Sequence, residues 1–186
     1  MISIAEFGFR SPIDNATKKL IEKSSEFGEK NILATYLRIT LGVNQGNSPG
    51  VPYVLEIWPP NHYSPIHNHA DADAIIRVLH GEITVNLYSM LSEYHKEPFA
   101  TAKFEKENIT WLSPQLNQSH QLKNCNSNGP TCMTIQCYQY GAENTTHYEY
   151  FDYLDESTNT IKKFNPTSDM GFDEFKKLMR KEWEAR

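Results

Sequence analysis

Cysteine is scarce: Cys125, Cys132 and Cys137 are the only three in 186 residues, and no two of them form a Cys-x-x-Cys pair. An odd, sparse set of this kind excludes a disulfide framework and a zinc knuckle and points to reduced thiols. Long apolar runs are missing as well. No stretch approaches the roughly 18 consecutive apolar residues that cross a bilayer, so no membrane partner is expected. The opening segment, Met1-Ile2-Ser3-Ile4-Ala5-Glu6-Phe7, has no basic region followed by an apolar core, and a cytoplasmic location is the expectation. Basic charge is not in excess either. The formal net charge is −5, which offers no electropositive face for a phosphate backbone, so nucleic acid is not expected as a partner. Repeats and low-complexity tracts are absent.

What remains is ordinary globular composition, 39% hydrophobic and 22% charged, in a chain long enough for one domain with a substantial core. Three zones differ in pattern. The first, about 1–42, reads as helical: Ile13, Leu20, Ile21 and Phe27 form a rough apolar stripe, and Ser11-Pro12 suits a helix start. Gly42–Gly50 reads as a loop. The second zone, about 51–154, reads as β, with short runs rich in Val, Ile, Thr, Tyr and Leu at Val51–Trp58, Ala74–Leu79, Ile83–Tyr88, Thr131–Tyr140 and Tyr148–Leu154. Leu79-His80-Gly81-Glu82 has the form of a tight hairpin turn with Gly81 in the positive-φ position. Many short strands separated by frequent turns predict an all-β barrel or sandwich. In the third zone, about 171–185, Phe172, Phe175, Leu178, Met179 and Trp183 recur at helical spacing. The expected C-terminal helix, with Asp169 as the candidate cap at its start, lies on an outer face of the barrel.

The chemistry-bearing signal is Ser64-Pro65-Ile66-His67-Asn68-His69. Residues two apart on a strand share a face, so His67 and His69 can reach one metal ion, and borderline metals such as iron and zinc accept neutral imidazole. Gly81 follows His69 by twelve residues, and later come Pro114, His120 and Asn124. This two-part layout, His-x-His then Gly and later Pro then His-x-x-x-Asn, resembles the paired motifs of the cupin superfamily. That resemblance implies a double-stranded β-barrel (a jelly roll) with flanking N-terminal and C-terminal helices. His67, His69 and His120 would then meet at a metal inside it. Where most metal-binding cupins add a Glu, this chain has Asp73 and Ala74; the implied ligand set is three His with open coordination positions, the arrangement of a catalytic rather than a structural site.

A closer resemblance is to the cysteine dioxygenase type I (thiol dioxygenase) family. Trp58, His62, Ser64 and Ile66 precede the His-x-His pair at similar intervals; His120 and Asn124 match the third-ligand motif; Thr134-Ile135-Gln136-Cys137-Tyr138 is similar to the strand that ends in the active-site tyrosine; and Tyr36-Leu37-Arg38 is similar to the Tyr-x-Arg whose Arg holds the substrate carboxylate. The resemblance implies a monomeric enzyme that uses Fe(II) and O2 to oxidise a small carboxylated thiol, L-cysteine foremost, to its sulfinate. Tyr138 and Gln136 would then act in catalysis, and Arg38 and Tyr36 in substrate binding. Two departures stand out. Ala74 occupies the position of the Cys that animal members crosslink to the tyrosine, and Gln136 replaces a His. Tyr140 shares the expected face of Tyr138 and competes for its role. A three-His cupin could also cleave carbon–carbon bonds oxidatively, or hold a metal without turnover.

Overall fold

In the computed structural model of the chain, the described residues are 15–42, 53–70, 72–116, 119–139 and 150–184. A short helix, α1 (Asn15–Glu22), and a single 3₁₀ turn (Lys23–Ser25) precede the strands. The strands are β1 (Leu37–Gly42), β2 (Tyr53–Trp58), β3 (His67–Asn68), β4 (Asp73–His80), β5 (Glu82–Tyr88) and β6 (Ala100–Glu105). They continue with β7 (Ile109–Leu112), β8 (Ser119–Lys123), β9 (Cys132–Gln139), β10 (Phe151–Asp155) and β11 (Thr160–Phe164), and α2 (Phe172–Glu184) follows. They form a five-stranded sheet in the order β1-β2-β9-β4-β7 and a six-stranded sheet in the order β11-β10-β3-β8-β5-β6. The pairings within both sheets are antiparallel. This is the all-β, double-stranded barrel of a cupin, flanked by helices. No helix among the described residues is long and apolar enough to cross a membrane.

Strand alternation decides which side chains enter the barrel. Arg38 on β1, Val54, Glu56 and Trp58 on β2, and Thr134, Gln136 and Tyr138 on β9 are buried and lie on one face by the two-residue period. Leu37, Ile39, Leu55, Ile57 and Met133 occupy the opposite face, where they pack with Leu20 of α1, Met170, and Phe175 and Leu178 of α2. The C-terminal helix therefore covers the outer surface of the five-stranded sheet, as its pattern predicts. Between the sheets, Ile76 and Val78 of β4 meet Ile83 and Val85 of β5 and Leu122 of β8 in the main core. Burying a side chain of that size contributes roughly 1.5–3 kcal/mol.

Four expectations need correction. The helical reading of 1–42 overshoots: α1 ends at Glu22, and Leu37–Gly42 is a strand whose Leu37, Arg38, Ile39 and Thr40 pair with Ile57, Glu56, Leu55 and Val54. Strand alternation and a partner strand outweigh the weak helical stripe. The strands accordingly run from Leu37 to Phe164, wider than the expected 51–154. Gly81 has the expected positive φ of 70° but closes no hairpin, because β4 and β5 belong to different sheets. The chain turns a corner there, so close to β9 that a Cβ on Gly81 would lie 3.1 Å from Cys132 Cα. Asp169 does not cap α2. Its Oδ2 accepts from Lys23 Nζ at 2.9 Å and from the Arg38 backbone N–H at 2.6 Å, tying the segment before α2 to β1. Ser11-Pro12, the greater part of the Gly42–Gly50 loop, Tyr140 and His147 lie outside the described residues.

Candidate metal centre

His67 lies on β3, with His120 of β8 directly opposite on one side and Tyr153 of β10 on the other. The segment leading into β3 is fixed by backbone pairing. Ser64 N–H donates to Leu122 O at 2.9 Å, its hydroxyl accepts from Leu122 N–H at 3.0 Å, and Leu154 N–H donates to Ile66 O at 2.8 Å. Asn68, between the two histidines, is half-buried and turned away. The period of two thus sends His67 and His69 inward together.

Inside the barrel the three imidazoles converge. His120 Nε2 lies 2.9 Å from His69 Nε2 and 3.1 Å from His67 Nε2. All three rings are at most 5% exposed, and their ligating nitrogens are the one group of three metal-binding side chains found among the described residues. For metal–nitrogen bonds of about 2.1 Å meeting at right angles, neighbouring donors sit about 3.0 Å apart. Two edges of this triangle have that length and all three donor atoms lie within 4.8 Å of one another, a spacing that suits one divalent ion. The carboxylate question is also settled by alternation: Ala74 points inward and is fully buried, whereas Asp73 points to solvent. Among the described residues, the group that could hold a metal is therefore three histidines and no carboxylate.

Burial sets the charge state of the donors. It lowers His67 to about 4, with help from the Arg38 guanidinium and against the pull of the Pro65 carbonyl. Burial, then the neighbouring imidazoles, hold His69 and His120 well below the ordinary histidine value. All three are neutral near pH 7, as metal ligation requires. The Nδ1 of His67 lies 3.0 Å from Pro65 O; donation there places the lone pair on Nε2, toward the other rings. The Nδ1 atoms of His69 and His120 are buried and have no partner among the described residues.

The wall facing the histidines comes from the five-stranded sheet and is polar. Arg38 Nη1 donates to Glu56 Oε1 at 2.8 Å, in a pair whose side chains are 6% and 3% exposed. Gln136 Nε2 donates to Glu56 Oε2, the Tyr138 hydroxyl donates to Gln136 Oε1, and Arg38 Nη1 reaches Tyr138 Oη at 3.5 Å, which closes a ring of four side chains. Burial pushes the Glu56 carboxyl up to about 7, opposed by Arg38. Burial would lower the Arg38 value, but Tyr138 and Glu56 outweigh it and raise the guanidinium above its ordinary value. Tyr36 stacks on Trp58 with ring centres 4.2 Å apart, and burial followed by Glu56 raises its phenol well above the ordinary tyrosine value. His67, His69, His120, Arg38, Gln136, Tyr138 and Tyr36 all line one small cavity of about 10 Å³. A wider, more open groove beside Lys30, Tyr63 and Asp155 lacks any such ligand group among the described residues.

The seven candidates for metal, substrate and catalysis among the described residues thus reach the same cavity. His62 does not: its Nδ1 lies 2.8 Å from Thr35 O, where it braces the chain ahead of β1. Asn124 is also structural, donating to Trp58 O at 2.9 Å and so joining the ends of β8 and β2. Cys137 faces away from Tyr138, half-exposed, while burial pushes the Cys132 thiol up to about 12 and Cys125 is exposed. Four lining residues were not foreseen: Glu56, Leu122, Phe151 and Phe164. Glu56 did leave a signal, an acid within the apolar run of β2. A buried carboxylate requires a partner.

A barrel of two facing sheets that gathers three buried neutral histidines in its interior defines a metal-binding cupin. The family model for cysteine dioxygenase type I matches residues 17–141, and the chain belongs to that family. Among solved structures, the chain is similar to a Cupin 2 conserved barrel domain protein from Salinispora arenicola (14% identity, TM-score 0.45, covering 59% of this chain and 79% of that one). It is also similar to the cupin domain of Schizosaccharomyces pombe Cnp3 (12% identity, TM-score 0.44, covering 56% and 64%). A third likeness is to an oxalate oxidase (17% identity, TM-score 0.39, covering 48% and 41%). The chain spans less than two thirds of the length of the last two.

Proposed function

We propose that this protein is an Fe(II)-dependent thiol dioxygenase that converts a small carboxylated thiol, L-cysteine foremost, to its sulfinate. The reaction balances as thiol plus O2: both oxygen atoms join sulfur, and the thiol proton remains with the acid product. Membership of the cysteine dioxygenase type I family supports this reading. The observation that carries it is the single cavity shared by three neutral histidines, Arg38 and Tyr138.

His67, His69 and His120 would hold the iron through Nε2. Bound iron would supply a site where a thiolate forms near neutral pH and where O2 is activated beside sulfur. The other steps belong to the chain's own groups. Arg38 offers its guanidinium to the substrate carboxylate in a planar fork. The Tyr138 hydroxyl, whose proton is held by Gln136 Oε1, can accept from the reacting end of the substrate, and donates to it only by giving up the bond to Gln136. Gln136 can orient that hydroxyl but cannot take its proton away at neutral pH. Tyr36, stacked on Trp58, fills one flank, and Phe151 and Phe164 limit the entry of water. The three cysteines are unpaired, which supports work in a reducing compartment such as the cytoplasm.

The test is oxygen uptake by the Fe(II)-loaded protein with L-cysteine, cysteamine and 3-mercaptopropionate in parallel. Uptake matched by sulfinate, and lost in His120→Ala, is the expected result. No uptake with any of the three, at one bound iron per chain, would overturn the proposal.

A further inference from the structure

The two sheets end in four edge strands, and three of them are protected against pairing with another chain. The backbone of β1 is covered by the segment before α2: Thr40 N–H donates to Ser168 Oγ at 2.9 Å, and Asp169 N–H donates to Arg38 O at 2.8 Å. β6 carries Lys103, and β11 carries Lys162 and Lys163, the kind of charge that natural sheets place on open edges. β7 has neither protection. It ends the five-stranded sheet, and no other strand among the described residues pairs with its free side. Its sequence, Ile109-Thr110-Trp111-Leu112, holds no charge and no proline. Its outward side chains are apolar as well. Ile109 and Trp111 are 56% and 47% exposed, and Ile75, opposite Trp111 on β4, is 55% exposed. The two helices pack on the β1 and β2 half of this outer face, and the three apolar side chains lie beyond them.

Such an edge suits a second copy of itself, because antiparallel pairing is symmetric about a two-fold axis. Charge favours this meeting point over others. Each chain carries a net charge of −5, so two copies repel in general. The charges beside the patch, Arg77 and Glu107, are bonded to each other, and the surface that two copies would share is neutral. Alternation restricts the register. Directly opposed residues of one sheet point to the same face, so the axis passes through a residue rather than between two. An axis at Thr110 sets Ile109 of one copy against Trp111 of the other and keeps both Thr110 side chains on the inner faces. The exposed parts of Ile75, Ile109 and Trp111 amount to roughly 600 Å² over two copies, well short of the about 1,200–2,000 Å² of a stable interface. The contact is therefore weak and reversible. We propose that β7 is a self-association edge, through which two copies join β7 to β7 in a concentration-dependent dimer, in place of the monomer that the family resemblance implies. The proposal is independent of the thiol dioxygenase reading.

Sedimentation of the full chain at about 2, 20 and 200 µM tests this, because the mass of a weak dimer depends on protein concentration. The weight-average mass should rise from that of one chain toward twice that value. Ile109→Lys and Trp111→Lys each place on β7 the charge that the other open edges carry, and both side chains point outward, away from the barrel core. Each variant should associate at least about tenfold more weakly than the natural chain. Phe99→Lys removes an equally exposed apolar side chain (58%) ahead of β6 and should leave association unchanged. Hydrogen exchange locates the contact without any variant: backbone amides of Ile109–Leu112 should gain protection between the lowest and the highest concentration, and those of β6 should not. A natural chain that keeps the mass of one copy at 200 µM would overturn the proposal. So would a dimer whose added protection lies away from β7, or one that Phe99→Lys weakens as much as Trp111→Lys does.

Discussion

Removing both partners of the Arg38–Glu56 pair together should cost the fold much less than the two single removals added up. The two side chains are 6% and 3% exposed, so solvent screens the pair little. Removing one partner of such a pair leaves an uncompensated charge and costs about 3–5 kcal/mol. Glu56→Leu also strands the Gln136 amide that donates to Oε2. Arg38→Met strands the Pro166 carbonyl, which accepts from Arg38 Nε at 3.2 Å. The double variant keeps both stranded groups but buries no charge, so its cost should be about 2–6 kcal/mol, from a desolvation penalty of about 1–3 kcal/mol for each unpaired polar group. The coupling between the two sites should therefore be about 3 kcal/mol or more. The surface pair Arg77–Glu107, with side chains 49% and 57% exposed, serves as an internal control and should show no more than about 1 kcal/mol. Urea unfolding of the metal-free chain, followed by tryptophan fluorescence with Trp58 in the site wall, measures all of these. Single variants that each cost less than about 1 kcal/mol and add without coupling would refute the picture of a desolvated pair.

Two further predictions concern the metal and the barrel corner. Because burial lowers His67 to about 4 and holds its two partners well below the ordinary histidine value, protons do not compete for the three imidazoles until well below that value. Metal affinity should stay nearly flat from about pH 8 to about pH 5 and fall only below that; a tenfold loss per pH unit beginning at about pH 6.5, read by Co(II) titration, would mean solvated ligands. Gly81→Ala should destabilise the chain by about 1–2 kcal/mol, because φ there is 70° and side chains resist the left-handed region. An unchanged urea midpoint would contradict the corner described for β4 and β5.

The legible part of the site was the part fixed by local spacing. His67 and His69 follow from the two-residue period, and Gln136 and Tyr138 share a face for the same reason. His120 came from its motif, and the barrel from the density of short strands. What the sequence concealed depends on pairing between distant segments. Glu56 stands out as an acid in an apolar run, but that it faces Arg38 follows only from the register of β1 on β2, and β1 itself was read as helix. Gly81 carries the same local signal for a hairpin as for a corner; the choice lies in whether β5 pairs with β4 or, as it does, with β6 and β8. The strands β6 and β11 went unread because they are edge strands, Ala100–Glu105 and Thr160–Phe164, mostly exposed and carrying lysines on the solvated side, a pattern that protects sheet edges and erases apolar alternation. With β11 unread, Phe164 could not be placed beside His67, although the two rings lie 6.1 Å apart.

The central claim is that the three-histidine barrel adds both atoms of O2 to a thiol sulfur. Its most direct measurement is mass spectrometry of the product formed from L-cysteine by the Fe(II)-loaded chain under ¹⁸O2. The account predicts a sulfinate carrying two labelled oxygens, with no label in the His120→Ala reaction. A product with one labelled oxygen or none, or cystine alone, would contradict it.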